Sequence, residues 1–345
     1  MRKKTVFAIL FILLGIGGFL AYKVFGPATS TPSGEFLYVR TGYSYNDLKK
    51  ELVEKKFLPG TQWFDLVAKA LKFNQVRPGR YKVSKGMSIF KLVRMLRNGQ
   101  QTPVSFVITK LRTKENLASK MGSQFEFDSL TAIRFLSSND SLKPYGLDSN
   151  TVMAAAMPYT YPLKWNNTPS NVFSEFFEAY QKFWTRERKI KADSLGLTPV
   201  QVITLASIVE EETRKKEDKY NIASTYLNRL KTGMRLQADP TVKFALKDFA
   251  LKRITGVHLR AVSPYNTYQN TGLPPGPICT PSIETIDAVL DSPDTEYLYF
   301  VASSKFDGSS VFTTNYEDHM KYARLYQQEL TRRMDSSAKA KAQNP

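Results

Sequence analysis

The sequence is poorest in the side chains that bind transition metals. Its 345 residues hold one cysteine, Cys279, and two histidines, His258 and His319. A zinc site of the usual Cys and His ligands cannot be assembled from that inventory. A lone cysteine also excludes an intramolecular disulfide, which neither requires nor forbids an extracytoplasmic location. Cys279 has no sequence context that supports a nucleophile, and a packed or half-exposed thiol is the plainer reading. Acidic residues are scarce too: 31 Asp and Glu stand against 49 Lys and Arg, a net charge of +18. Such a balance suits a polyanion, whether nucleic acid, anionic phospholipid or another polymer, and it also suits a merely solubilising surface. No Gly-rich phosphate loop or nucleic-acid motif accompanies it, so nucleic acid is not an expected partner.

One long hydrophobic run is present. Arg2, Lys3 and Lys4 precede an apolar stretch from Val6 to Tyr22 that no charge interrupts before Lys23. The run is just long enough to span a bilayer. A cleaved signal peptide is the competing reading, but Gly26 to Ser30 offers no clean A-x-A site. We expect a cytoplasmic N-terminus over 1–4 and a retained anchor over 5–24. The basic flank would stay inside, which leaves the body outside the membrane. Residues 25–35, rich in Pro, Ser, Thr and Gly, read as a linker.

A strand–helix pattern follows. Phe36 to Arg40 suggests a strand, with Ser44 capping a helix striped by Leu48, Leu52 and Val53. Tyr81 to Val83 suggests another, with Ser88 capping a helix striped by Ile89, Leu92, Val93 and Leu96. Phe106 to Ile108 and the helix after Thr113 form a looser third copy. Units this small need a common sheet to bury their faces. Further on, Thr168-Pro169 opens a helix whose aromatic face, Val172 to Trp184, reads as core. Tyr297 to Ala302 and Ser310 to Thr314 flank Asp307-Gly308 as a hairpin, and Asn315 caps a last helix. Residues 336–345 read as a disordered tail.

The chemistry concentrates after Thr198. That residue is a candidate N-cap, Pro199 suits the first helical position, and Gln201 completes a capping box. Leu205, Ile208 and Val209 repeat at the spacing of a buried stripe, and the next stripe position is Glu212. Glu210 and Glu211 point elsewhere on the wheel. A carboxyl aimed at a dry face has its pKa raised, and so can hold a proton near neutrality and deliver it to a leaving group. The other reading is a helix end where the stripe runs out into solvent. Beyond Gly233, a stop for the next helix, polar side chains crowd into loops. Arg235, Gln237, Asp239, Thr241, Tyr265, Asn266, Thr267 and Tyr268 supply the planar faces, amides and carboxylates that sugar recognition uses. Each could equally be a turn or cap.

The blocks SIVEEET, NRLKTGMRLQADPTV and YNTYQNTGLPPGPICTPS, from Ser207 to Ser282, resemble the signatures of the endolytic murein transglycosylases, the MltG or YceG-like family. The resemblance implies that the second Glu of the E-x-E pair, Glu212, is catalytic. It implies an α+β fold: a transmembrane helix, a small LysM-like α/β subdomain over 36–121, then a larger mixed helical and β catalytic domain over 122–335. The segment GRYKVSKGMSIFKLVRMLRNGQ carries the LysM-like likeness, and it would either bind glycan or only position the catalytic body. In MPYTYP, Tyr159 stands where the family usually has Asp. The implied reaction cleaves the MurNAc–GlcNAc bond of peptidoglycan, leaves a 1,6-anhydro end, and requires no metal or organic cofactor. Implied partners are glycan strands, inner-membrane lipid and, as a candidate, a peptidoglycan synthase. A muramidase-type hydrolase would need a second carboxylate, for which Asp239 or Asp218 are available. A catalytically silent, membrane-anchored scaffold would use the anchor and the basic body equally well.

Overall fold

A computed structural model describes residues 2–31 and 34–343. The expected cytoplasmic N-terminus, linker and tail therefore fall partly outside the described residues, at positions 1, 32–33 and 344–345. The chain forms two compact units. The first is Met1–Phe106 with Met121–Asp128 and Tyr161–Val172, and the second is Val107–Lys120 with Ser129–Thr160 and Phe173–Pro345. Two later segments thus return to the first unit, so the division is not a single cut in sequence.

In the first unit, α1 (Arg2–Phe25) is a helix long and apolar enough to cross a membrane. It is followed by β1 (Phe36–Val39), α2 (Tyr45–Glu54), α3 (Gln62–Ala70), β2 (Gly79–Lys82) and α4 (Ile89–Asn98). Ser44 starts α2 with a capping box: its hydroxyl accepts from the Asp47 N–H, and the Asp47 carboxylate accepts from the Ser44 N–H. Ser88 caps α4, and Gly99, at φ 65°, ends it in the left-handed conformation. β1 and β2 pair antiparallel, Leu37 opposite Tyr81. Leu37, Val39 and Tyr81 bury together with Leu48, Leu52, Phe64, Leu92 and Leu96 in one core.

The third strand does not join this sheet. The Thr102 N–H donates one bond to the Arg80 carbonyl (2.7 Å), but Pro103 follows and has no N–H to continue the ladder. β3 (Val104–Val107) instead pairs with β4 (Thr160–Leu163). Nor does the chain hang free after α1. The Ala28 and Thr29 N–H groups donate to the Met87 carbonyl, Ser30 N–H donates to Phe57, and the Thr29 hydroxyl donates to Ser84. Thr29 is only 6% exposed.

The second unit is mixed, with helices predominating. α5 (Lys114–Gln124, in this unit up to Lys120), α6 (Ser129–Ser137) and α7 (Asn139–Leu142) precede α8 (Pro169–Phe183, in this unit from Phe173), whose Phe173 and Phe176 are fully buried. α9 (Arg186–Ser194) leads to α10 (Pro199–Glu212), which begins as the sequence suggests, with both bonds of the Thr198–Gln201 capping box formed. Its interior differs from expectation. Every residue from Val202 to Val209 is buried, so α10 is enclosed on all sides rather than along one stripe. It packs against α11 (Lys216–Lys231) and α13 (Ile283–Leu290), with α12 (Asp239–Leu246) between these in sequence. The Pro-rich segment passes beside it: Ile278 N–H donates to the Ser207 hydroxyl, and the Cys279 thiol to the Ser207 carbonyl. Burial pushes the Cys279 thiol far up, which removes it as a nucleophile. β5 (Tyr299–Ala302) and β6 (Ser310–Thr313) form the antiparallel hairpin. α14 (Tyr316–Gln343), capped by Asn315, continues through 336–343, where the sequence suggests disorder; the Ala and Lys there are good helix formers.

The bonding of residues 28–30 bears on processing. A protease cutting near Ala28 would have to strip this segment from the fold. The full-length chain is expected in the membrane fraction, and a mature soluble form beginning near Ser30 would overturn the retained anchor.

Candidate active site

α10 ends in three consecutive carboxylates, and each meets different surroundings. Glu210 accepts from the Ser282 hydroxyl (2.8 Å) and from Thr285, with the Lys219 ammonium at 3.6 Å. Burial acts to raise its pKa, but those bonds and that charge outweigh burial and hold it below the usual value. Glu211 meets Lys110 at 2.8 Å and Arg112 at 3.2 Å, and is likewise held low against the effect of burial. Their side chains are equally accessible, at 17% each. Both therefore bind their neighbourhood together, Glu210 joining α10 to α11 and α13.

Glu212 has no salt bridge among the described residues. Its Oε1 accepts a hydrogen bond from the Tyr226 hydroxyl on α11 at 2.7 Å. Burial is the dominant influence and pushes the carboxyl up to about 7. The Tyr226 bond and the more distant Arg229 and Lys243 charges pull it down, while Asp239 adds to the rise. Arg229 is close but committed elsewhere: its Nε donates to the Leu298 carbonyl (2.7 Å) and its Nη1 to Leu236 (2.6 Å). A carboxyl matched by a phenol, with no adjacent cation, is a proton donor near neutral pH.

Glu212 opens on a cavity of about 340 Å³ that Tyr226, Arg229, Gln237, Asp239, Tyr268, Tyr299, Phe300, Tyr316 and His319 also line. Gln237 sits at φ 49°, a left-handed conformation uncommon outside glycine, with its N–H held by the Thr267 carbonyl. Tyr268 donates to the Asp239 carboxylate at 2.7 Å. His319 stacks on Tyr299 at 5.4 Å, and burial, with the Arg229 charge, lowers its pKa.

Of the residues singled out in sequence, Glu212, Gln237, Asp239 and Tyr268 come together here. Tyr265 does not line this cavity; it packs on Phe244 at 4.6 Å beside a separate cavity with Arg112 and Lys114. Asn266 is fully buried, and its amide donates to the Leu259 and Ala261 carbonyls. Thr241 and Thr267 are buried and bonded to each other, and Thr267 also accepts from Ala238 N–H. Thr241 and Thr267 shape the loop that presents Gln237, and Asn266 ties down the 259–261 segment. Arg235 is exposed and lines none of the described cavities. Asp218 accepts from the Ser310 N–H and is buried away from the cavity, which leaves Asp239 as its second carboxylate. The MPYTYP turn borders another cavity, where Tyr159 and Glu210 both contribute to the wall. Tyr226, Arg229, Tyr299 and His319 escape sequence reasoning. Tyr226 reads as an ordinary stripe residue, Arg229 lies inside a quoted block but on a helix rather than among its loop residues, and Tyr299 and His319 lie far along the chain with no local motif.

Residues 37–325 match the sequence profile of the YceG-like family. The chain belongs to this family. It is 29% identical over 312 residues to the endolytic murein transglycosylase of Bacillus subtilis strain 168, covering 84% of this chain and 83% of that protein. It is 28% identical over 348 residues to the endolytic murein transglycosylase of Streptococcus pneumoniae strain D39, covering 91% of this chain but 63% of that longer relative. A crystal structure of a YceG-like protein from Listeria monocytogenes superimposes with a TM-score of 0.56 at 26% identity, over 83% of this chain and 97% of that one.

The raised Glu212 pKa has a thermodynamic consequence. A carboxyl whose folded pKa lies above its unfolded value holds its proton more tightly when folded. Its contribution to stability is present at low pH and is lost as pH rises from 4.5 towards about 7. Glu212→Gln carries no charge and escapes that loss. The variant is expected to be more stable than the parent by about 1–2 kcal/mol near pH ~8, allowing for water in the cavity, with the difference gone near pH ~4. Urea unfolding at the two pH values checks this, and a pH-independent difference would refute it.

Proposed function

We propose that the chain is a membrane-anchored endolytic lytic transglycosylase of peptidoglycan, with Glu212 acting alone as acid and then base. The observation that carries this reading is the Glu212 environment: half-buried at the cavity wall, bonded to Tyr226, unmatched by a cation and shifted to about 7. In the first half, Glu212 gives its proton to the oxygen leaving the MurNAc–GlcNAc bond. In the second, the MurNAc C6 hydroxyl attacks the anomeric carbon and returns its proton to Glu212. The 1,6-anhydro end forms and no water is consumed. Tyr226 orients the carboxyl through its one bond. Gln237 and Asp239 suit sugar hydroxyls, and Tyr299, Phe300 and Tyr316 suit the apolar faces of the rings.

The same reading takes 36–121 as the LysM-like subdomain and 122–335 as the catalytic domain, bounds that cross the two compact units at 107–120, 122–128 and 161–172. α1 crosses the inner membrane once, with the body on the periplasmic side. Cleavage close to the membrane would terminate nascent strands, with a peptidoglycan synthase as neighbour. One observation favours a second reading: Asp239 shares the cavity with Glu212, as a muramidase-type hydrolase would require. A silent scaffold has no use for a carboxyl tuned in this way.

Product analysis separates the three readings, through 1,6-anhydro ends, reducing ends or no cleavage. Glu212→Gln is nearly isosteric but cannot donate and recover a proton. It is expected to lower the formation of anhydro ends by at least about 10²–10⁴-fold while glycan binding persists. Near-normal anhydro product from this variant would overturn the assignment. Glu210→Gln and Glu211→Gln are expected to act mainly through stability, because each loses partners that anchor α10.

A further inference from the structure

The largest of the cavities described, about 740 Å³, is lined wholly by residues of the first unit, and Glu212 is not among them. Its charge is uneven. Arg40, Lys55 and Arg80 line it against a single acid, Glu51. Arg40 and Lys55 are exposed and form no ion pair among the described residues. Arg80 is fixed: its Nε donates to the Thr102 carbonyl, its Nη2 to Pro103, and its guanidinium lies 4.1 Å from the Phe36 ring centroid. Aromatic surface stands beside the cations, with Tyr38 edge-on to Trp165 at 5.0 Å and Tyr43 on the same wall.

The wall is also built to stay in place. The Arg40–Tyr43 turn is closed by Tyr43 N–H donating to the Arg40 carbonyl. The Thr41 N–H and hydroxyl both donate to the Glu126 carboxylate, at 2.7 and 2.6 Å. The Glu126 N–H in turn donates to the Trp165 carbonyl at 3.0 Å. Three segments distant in sequence are thereby locked together, so the wall, its rings and Arg80 are held in place and only Arg40 and Lys55 have side chains left to order on a ligand.

We propose that this cavity binds the carboxylate-bearing peptide stem of peptidoglycan. A neutral sugar would use the rings but leaves excess positive charge unmatched, whereas a stem supplies carboxylates for Arg40 and Lys55 and aliphatic side chains for Tyr38 and Trp165. The inference rests on the peptidoglycan reading above and adds a second point of contact with the same substrate.

The test uses the full chain carrying Glu212→Gln, so that glycan is not consumed. It is titrated with a soluble disaccharide–tetrapeptide muropeptide and with the same compound after amidation of its carboxylates. Amidation is expected to weaken binding by about tenfold or more. In the Arg40→Gln, Lys55→Gln double variant the acid is expected to bind only as well as the amide, while the amide itself is unaffected. Equal affinity of acid and amide on the parent, or a preference that survives the double variant, overturns the proposal. The first comparison needs no change in the first unit, so a folding defect cannot mask it. If the protein with native Glu212 made no anhydro ends yet preferred the acid, the activity reading would fail and this site would stand.

Discussion

The second unit depends on how one enclosed helix disposes of its last three side chains. α10 is buried from Val202 to Val209, so the carboxylates that follow cannot all turn to water. A partly desolvated anion must find a cation, find hydrogen-bond donors, or keep its proton. Glu210 and Glu211 take the first two routes. Their partners come from α11, from α13 with its Ser282 cap, and from the Lys110–Arg112 segment, so satisfying them assembles the wall around the helix end. Glu212 is left with one phenol, and the nearby guanidinium is already held by two backbone carbonyls. Burial pushes all three carboxyls up; partners outweigh it at Glu210 and Glu211, and nothing of comparable strength does so at Glu212.

Much of the local structure was legible because its causes are local. Ser44, Ser88 and Thr198 cap their helices through bonds three residues away, and Asn315 does the same for α14. Strand partnership was less legible, because it depends on Pro103 ending the ladder just as a third strand would have joined β2. At the site, Glu212 was accessible to helical phase even though α10 proved to be buried all round, since the phase that points at α11 is the same in either case. Gln237 and Asp239 were legible as polar residues in a loop. Asn266, Thr241 and Thr267 carry the same chemical signal but spend it on backbone carbonyls and on each other, and composition cannot tell a loop's bolts from its binding groups. Tyr226, Arg229 and His319 reach the cavity only by tertiary packing.

Thr29 illustrates how a small contact sets mechanical behaviour. A Pro-, Ser- and Thr-rich stretch behind an apolar helix suggests a leash along which a domain can roam. Here Ala28, Thr29 and Ser30 are knotted to Met87, Ser84 and Phe57, and Phe25 meets Phe90 at 5.1 Å. The leash is thereby shortened to a pedestal. If α1 sits in lipid, as proposed, these contacts hold the first unit close to the end of the helix rather than letting it swing on a slack tether.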